Sequence, residues 1–179
     1  MKQLLLSILF ISVWVAVFGS INGVTRSSFI RHQLSETGQQ NSGLNREAFY
    51  KAMQENNKAL VNIQLEELKT EPDAVRQAFM GAMLMKRAGF VGSAGAKLHY
   101  FKEGHKMLEA AIKRDPDNAE FRFLRLMVQE HAPGVLGYKE EIEKDSQYIR
   151  KYYKSLPDEV QRVIEDYSKK SKFLKLDVS

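Results

Sequence analysis

The sequence predicts an all-α protein, about six antiparallel helices in a single domain, and three observations predict it. Apolar residues recur at three- and four-residue spacings from Asn45 onward. No stretch alternates with a period of two, and most of the periodic runs end at a proline or glycine, which break helices. A chain of 179 residues, 44% hydrophobic and 27% charged, has room for one such core.

The first helix is expected from Asn45 to Leu68, where Phe49, Ala52, Met53, Asn56, Leu60, Ile63 and Leu68 form one apolar stripe. Thr70-Glu71-Pro72-Asp73 ends it, because proline brings no N–H to a helix interior. The second, Asp73 to Ala88, mixes Ala78, Gly81 and Ala82 with Phe79, Met83 and Leu84. Small residues let another helix come close and methionine fills irregular gaps, so this helix is expected at the centre. "GFVGSAG", residues 89–95, is a glycine-rich turn.

A third helix follows from Ala96 to Arg114, with Leu98, Phe101, Met107, Leu108, Ala111 and Ile112 turned inward. Asp117 and Glu120 have the spacing of a capping box and open a fourth, "DNAEFRFLRLMVQEH", which Pro133-Gly134 stops. The fifth is expected from Tyr138 to Ser155. The sixth opens at Leu156-Pro157-Asp158-Glu159 and runs to Lys172, acidic at its start and basic at its end, as the helix dipole favours. "KKSKFLK" reads as a fraying tail.

Upstream of the helices the composition changes. "MKQLLLSILFISVWVAVFGS" carries one lysine, an apolar run from Leu4 to Phe18 and then small residues. That run is short for a membrane span, which needs roughly twenty residues. It predicts a signal peptide over residues 1–19, cut near Val17-Phe18-Gly19. The alternative is an uncleaved single-span anchor. Residues 20–44 are polar and aperiodic and predict a flexible linker; 45–175 form the helical domain and 176–179 a tail. The expected location is therefore periplasmic or secreted. With no cysteine in the chain, disulfides, thiolate zinc sites and cysteine nucleophiles are excluded.

"GHKMLEAAIKRDPDN" resembles the junction between two tetratricopeptide repeats, 34-residue helical hairpins with small residues at packing positions and a terminal proline. With Pro116 at that proline, Gly104 and Ala111 take the small positions of the second repeat helix and Gly92 that of the first. The likeness spans residues 85–119, and Gly95 stands where the repeat usually has tyrosine. It implies a tetratricopeptide-like array of hairpins with a concave binding face. The peptide clamp of some such proteins uses Lys and Asn; here the same register holds Glu120, Phe123, Met127 and Glu130. "YFKEGHKMLEAAI", "EFRFLRLMVQEHAP" and "LGYKEEIEKD" also resemble a family of exported helical proteins from the Bacteroidota, which implies no activity.

Chemical signatures are sparse. His99 with Glu103 and His105 with Glu109 lie one turn apart, but the two pairs point in different directions and HExxH is absent, so no metal or other cofactor is expected. "GFVGSAGAK" lacks the spacing and the hydroxyl of a phosphate loop. No nucleophile motif occurs, and no enzymatic activity is expected. A net charge of +5 is too small for a nucleic-acid footprint.

Two groups of residues remain as binding candidates. Arg122, Arg125 and Gln129 follow Asn118 along the polar face of an otherwise apolar helix, and arginine grips carboxylates bidentately. Equally, they can pair internally with Glu103, Glu109 or acids of the fifth helix. Tyr138, Tyr148 and Tyr152 stand among lysines, a composition that suits glycans, anionic lipid or a protein partner, or simple inward packing. These features predict an exported non-enzymatic protein that binds a partner protein or peptide in a groove. The alternative is a binder of anionic envelope glycan or lipid through the basic, tyrosine-rich C-terminal helices.

Overall fold

The computed structural model describes residues 43–70 and 74–176, and the leader and nearly all of the expected linker lie outside them. Every regular element among the described residues is helical: α1 (Arg46–Gln54), α2 (Lys58–Glu67), α3 (Ala74–Ala88), α4 (Ala94–Arg114), α5 (Ala119–His131), α6 (Ile142–Tyr152) and α7 (Asp158–Ser168). Short 3-10 turns follow α2, α5 and α6. The all-α expectation holds, with seven helices among the described residues where about six were expected.

The additional helix comes from Asn57. The stripe from Phe49 to Leu68 is cut after Gln54, and Asn57 restarts the chain as an N-cap that accepts from Ala59 N at 3.0 Å. A carboxamide that can bond its neighbours' backbone competes with a continuing helix. The restart changes the phase: Ile63, expected inward, is 52% exposed, while Val61 and Leu65 are buried. Asn118, not Asp117, caps α5 by accepting from Phe121 N at 3.1 Å. α6 begins at Ile142 rather than Tyr138, because Gly137 takes a left-handed conformation (φ 63°) that an L residue adopts only with strain.

α3 and α4 form the central hairpin. They run antiparallel, since Arg114 reaches Gln77 at one end while Arg87 lies over the Tyr100 ring at the other. At their crossing a Cβ on Gly81 would stand 2.7 Å from Gly104 O and from Leu108 N, so only hydrogen fits. Gly92, assigned by the repeat register to a first helix, lies instead in the turn between α3 and α4 with nothing near it.

Aromatic contacts, two edge-on and one tilted, join the helices around this hairpin. Phe49 of α1 meets Phe79 of α3 at 4.6 Å, Tyr50 meets Phe123 of α5 at 5.7 Å, and Phe123 meets Tyr167 of α7 at 5.4 Å. Such pairs add to the hydrophobic gain of burial.

The C-terminal segment differs from the expected fraying tail. α7 stops at Ser168, and the chain turns back until Leu174 is fully buried. Glu130 of α5 holds it, accepting from the Tyr167 hydroxyl at 2.7 Å, from Ser171 Oγ at 2.9 Å and from Lys172 N. Leu44, expected in the linker, also packs against the core.

Candidate functional site

The candidate ladder on α5 is tied to acids within the fold. Arg125 is buried and donates to Asp145 through Nε at 2.6 Å and Nη2 at 2.7 Å, and to Glu109 through Nη1 at 2.8 Å. Burial by itself would lower its pKa; the bonds from Asp145 and the charges of Asp145 and Glu109 outweigh that and leave it above the ordinary arginine value. Arg122 donates to Asp145 at 3.1 Å and to the Pro116 carbonyl at 2.8 Å. Asn118 is spent as a cap.

The tyrosines are drawn inward to different degrees. Tyr138 donates to Glu109 at 2.7 Å, and its pKa is raised, first by burial and then by that carboxylate. The Tyr148 hydroxyl reaches the Asp117 carbonyl at 3.1 Å, and the Arg122 guanidinium lies 4.3 Å from its ring. Tyr152 leans on Tyr148 at 4.4 Å, with Lys151 above it at 5.0 Å, and stays 37% exposed. Of the clamp-register positions, Glu120 accepts from Arg46 and Tyr50, Glu130 holds the tail, and Phe123 and Met127 are core. Among the described residues no three His, Asp or Glu side chains are grouped to hold a metal.

Gln129 is the exception. It is 1% exposed, yet its Oε1 accepts no hydrogen bond among the described residues. A buried unsatisfied acceptor costs about 1–3 kcal/mol. The residue lines a chamber of about 450 Å³ that also contains His105, Tyr138 and the paired Arg125.

A larger, apolar chamber of about 490 Å³ adjoins it, and the two share Leu98, Phe101 and Leu136 as a wall. Both volumes fall within the range usual for ligand sites. Met53 of α1, Met85 of α3 and Met127 of α5 line it, and each is nearly inaccessible to bulk solvent. It forms because three elements end together: α3 gives way to the glycine turn, α5 stops before Pro133, and the first two turns of α4 run past the end of the core. That overhang is why Leu98, expected inward, is 43% exposed. Val135, in the 3-10 turn after Pro133, is 93% exposed at the rim.

The ionisable side chains of the apolar chamber are all basic or imidazole: Lys86, Lys97 and His131. His131 Nδ1 lies 2.8 Å from the Met127 carbonyl, which turns that nitrogen back onto its own helix. Lys86 is half-buried, and desolvation lowers its pKa. Neither lysine forms an ion pair among the described residues.

The chain matches no known protein family, no curated protein and no solved structure. The functional reading therefore rests on these two chambers.

Sequence reasoning selects Gln129 and misses the apolar chamber. Met53 reads as part of the first apolar stripe, Met85 falls in a helix whose methionines read as gap fillers, Met127 lies on an apolar helix, and nothing in their separate runs of sequence shows that they meet. One signal is present for Asp145: it follows Ile142 and precedes Ile149 at helical spacing, so an acid occupies an inward position.

Proposed function

We propose that this chain is an exported, non-enzymatic binding protein of the cell envelope that takes the apolar anchor of a partner protein or peptide into the methionine-lined chamber. The observation that carries the reading is the continuity of apolar surface, from Met53, Met85 and Met127 inside to Leu98 and Val135 outside. A ligand confined to the chamber would gain nothing from a fully exposed valine at its mouth, whereas a partner's surface covers both. Methionine suits this task because its unbranched, polarizable side chain repacks around different shapes. Export is supported by the apolar leader.

The test is a photo-crosslinking amino acid placed at position 135, with a second placed at Ile63 as an exposed control. A discrete adduct in intact cells from position 135 alone is the expected result. Equal labelling from both positions, or none, would remove the reading.

A second reading has one observation in its favour, the half-buried Tyr148 packed against exposed Tyr152 with Lys151 alongside. Such a platform suits an anionic glycan or lipid headgroup. Binding there would be indifferent to Val135→Asp, whereas anchoring in the apolar chamber would be weakened by it.

A further inference from the structure

Resting on the chamber reading above, we infer that the partner segment is an acidic-apolar peptide: a large apolar side chain fills the methionine chamber, a neighbouring carboxylate meets Lys86 and Lys97, and the Gln129 carboxamide pairs with the peptide backbone.

Charge complementarity carries the first half. The chamber is lined by two lysines and no carboxylate, in a molecule that elsewhere pairs its buried cations closely, as Arg125 with Asp145 and Arg46 with Glu120. The two lysines stand in unlike fields. Lys86 is in the last turn of α3, where the dipole favours a cation. Lys97 follows Ser93 at the start of α4, whose first turn contains no acidic residue, so cation and dipole add at the chamber's edge. An incoming carboxylate is stabilised by both lysines and by that helix start, and the low-dielectric wall strengthens the term from half-buried Lys86, while Lys97 is exposed.

The polar chamber decides between a peptide and a free acyl chain. The Gln129 carboxamide makes no hydrogen bond among the described residues, and the residue lines the space across the Leu98–Phe101–Leu136 wall from the methionines. An extended peptide laid over that wall brings an N–H every residue. An acyl chain brings none. The apolar rim at Val135 and Leu98 likewise favours an occupant that continues beyond the chamber.

The experiment is selection of a displayed random heptapeptide library on the full chain, repeated on the Lys86→Met/Lys97→Met double variant and on Gln129→Leu. Both changes replace polar groups by apolar ones of similar reach, and unchanged thermal unfolding checks that each variant is folded. The expected outcome is enrichment of peptides that join Leu, Phe or Met to Asp or Glu. A synthetic copy of an enriched peptide should lose roughly tenfold in affinity when its acid becomes the amide, and should show no such loss on the double variant. Gln129→Leu should weaken every selected peptide, acidic or not.

Apolar peptides selected without acids, and bound equally by the double variant, would overturn this inference and leave the chamber reading standing. Indifference to Gln129→Leu would overturn the backbone contact. Failure to select any peptide that Val135→Asp abolishes would defeat the chamber reading itself. Dodecanoate binding in a Lys86-dependent way, with no peptide selected, would assign the chamber to a fatty acid and overturn the peptide.

Discussion

The α3–α4 hairpin and the α5–α6 pair join two helices each by opposite means. α3 and α4 meet through Gly81 and Gly104, where backbone lies directly on backbone. α5 and α6 meet through a buried charge cluster, Asp145 beneath Arg122 and Arg125. The first contact is a matter of shape and tolerates no added volume. The second tolerates volume but not the loss of one charge, because a buried ion left alone keeps its desolvation cost without its partner. Each pair should therefore be insensitive to the change that disrupts the other.

The largest expected effect follows from removing Asp145. Asp145→Asn keeps the shape and leaves Arg125, buried and doubly bonded to that carboxylate, short of a counter-charge. Breaking a buried pair costs about 3–5 kcal/mol, and denaturant unfolding would read it as a large fall in midpoint. The companion variant Arg125→Met/Asp145→Leu removes both charges and should recover most of that loss. A double variant as unstable as the single one would show that packing, and not charge, holds α5 to α6.

Next in size is Gly104→Ala. The added Cβ would overlap the Gly81 carbonyl and Met85 N, both backbone atoms that cannot swing away. The helices must separate, at a cost of about 1–3 kcal/mol. The control is Gly95→Ala, in the first turn of α4 with open space around it, which should be neutral or slightly stabilising because alanine favours the helix. Equal destabilisation by both would break the comparison.

These two contacts also differ in how far the sequence reveals them. The small residues of α3 and α4 are visible as a pattern, and Gly81 and Gly104 meet at the crossing, although the repeat register set Gly92 in a helix and it lies in the turn. The restart at Asn57 is not, because the apolar spacing continues past it and only the cap's hydrogen bond rotates Ile63 outward. Arg125 is legible as a charge on an apolar helix, with its partner left open among several acids. The apolar chamber is illegible for a physical reason: it is a space between the ends of α3, α4 and α5, and periodicity describes faces, not ends. The buried tail is hidden similarly, since Leu174 lies among lysines, and Glu130, Ser146 and Arg150, all distant in sequence, hold that segment.

A smaller effect extends the charge side of the comparison to that tail. Burial raises the Glu130 pKa, but hydrogen bonds from Tyr167, Lys172 N and Ser171 outweigh it, so the net value is below that of an ordinary glutamate. A carboxylate depressed in the folded state contributes stability that is present above its unfolded pKa. That stability is lost as pH falls through the lower, folded value. Stability of the native chain should therefore decline below the ordinary glutamate range, and Glu130→Gln should remove that part of the decline at a cost of about 1 kcal/mol at neutral pH. Amide exchange at Lys172 and Leu174, faster in the variant, would locate the change in the tail.

The smallest stability effect is expected at Val135, and it sharpens the comparison by supplying a site that neither shape nor charge requires for folding. At 93% exposure Val135 buries almost nothing, so Val135→Asp should alter unfolding by less than about 0.5 kcal/mol. Its effect should fall instead on binding. A carboxylate introduced at the rim interrupts the apolar surface that joins Leu98 to the methionines, and a partner covering it would bury an unpaired charge. A partner whose acid engages Lys86 and Lys97 would lose further, because the new negative charge would both repel it and compete for the same lysines. Titration of a selected peptide against the variant separates the two contributions: raised salt would restore only the electrostatic part. Stability lost together with binding would mean that the valine packs in the folded protein, and the chamber's mouth would then have to be sought elsewhere.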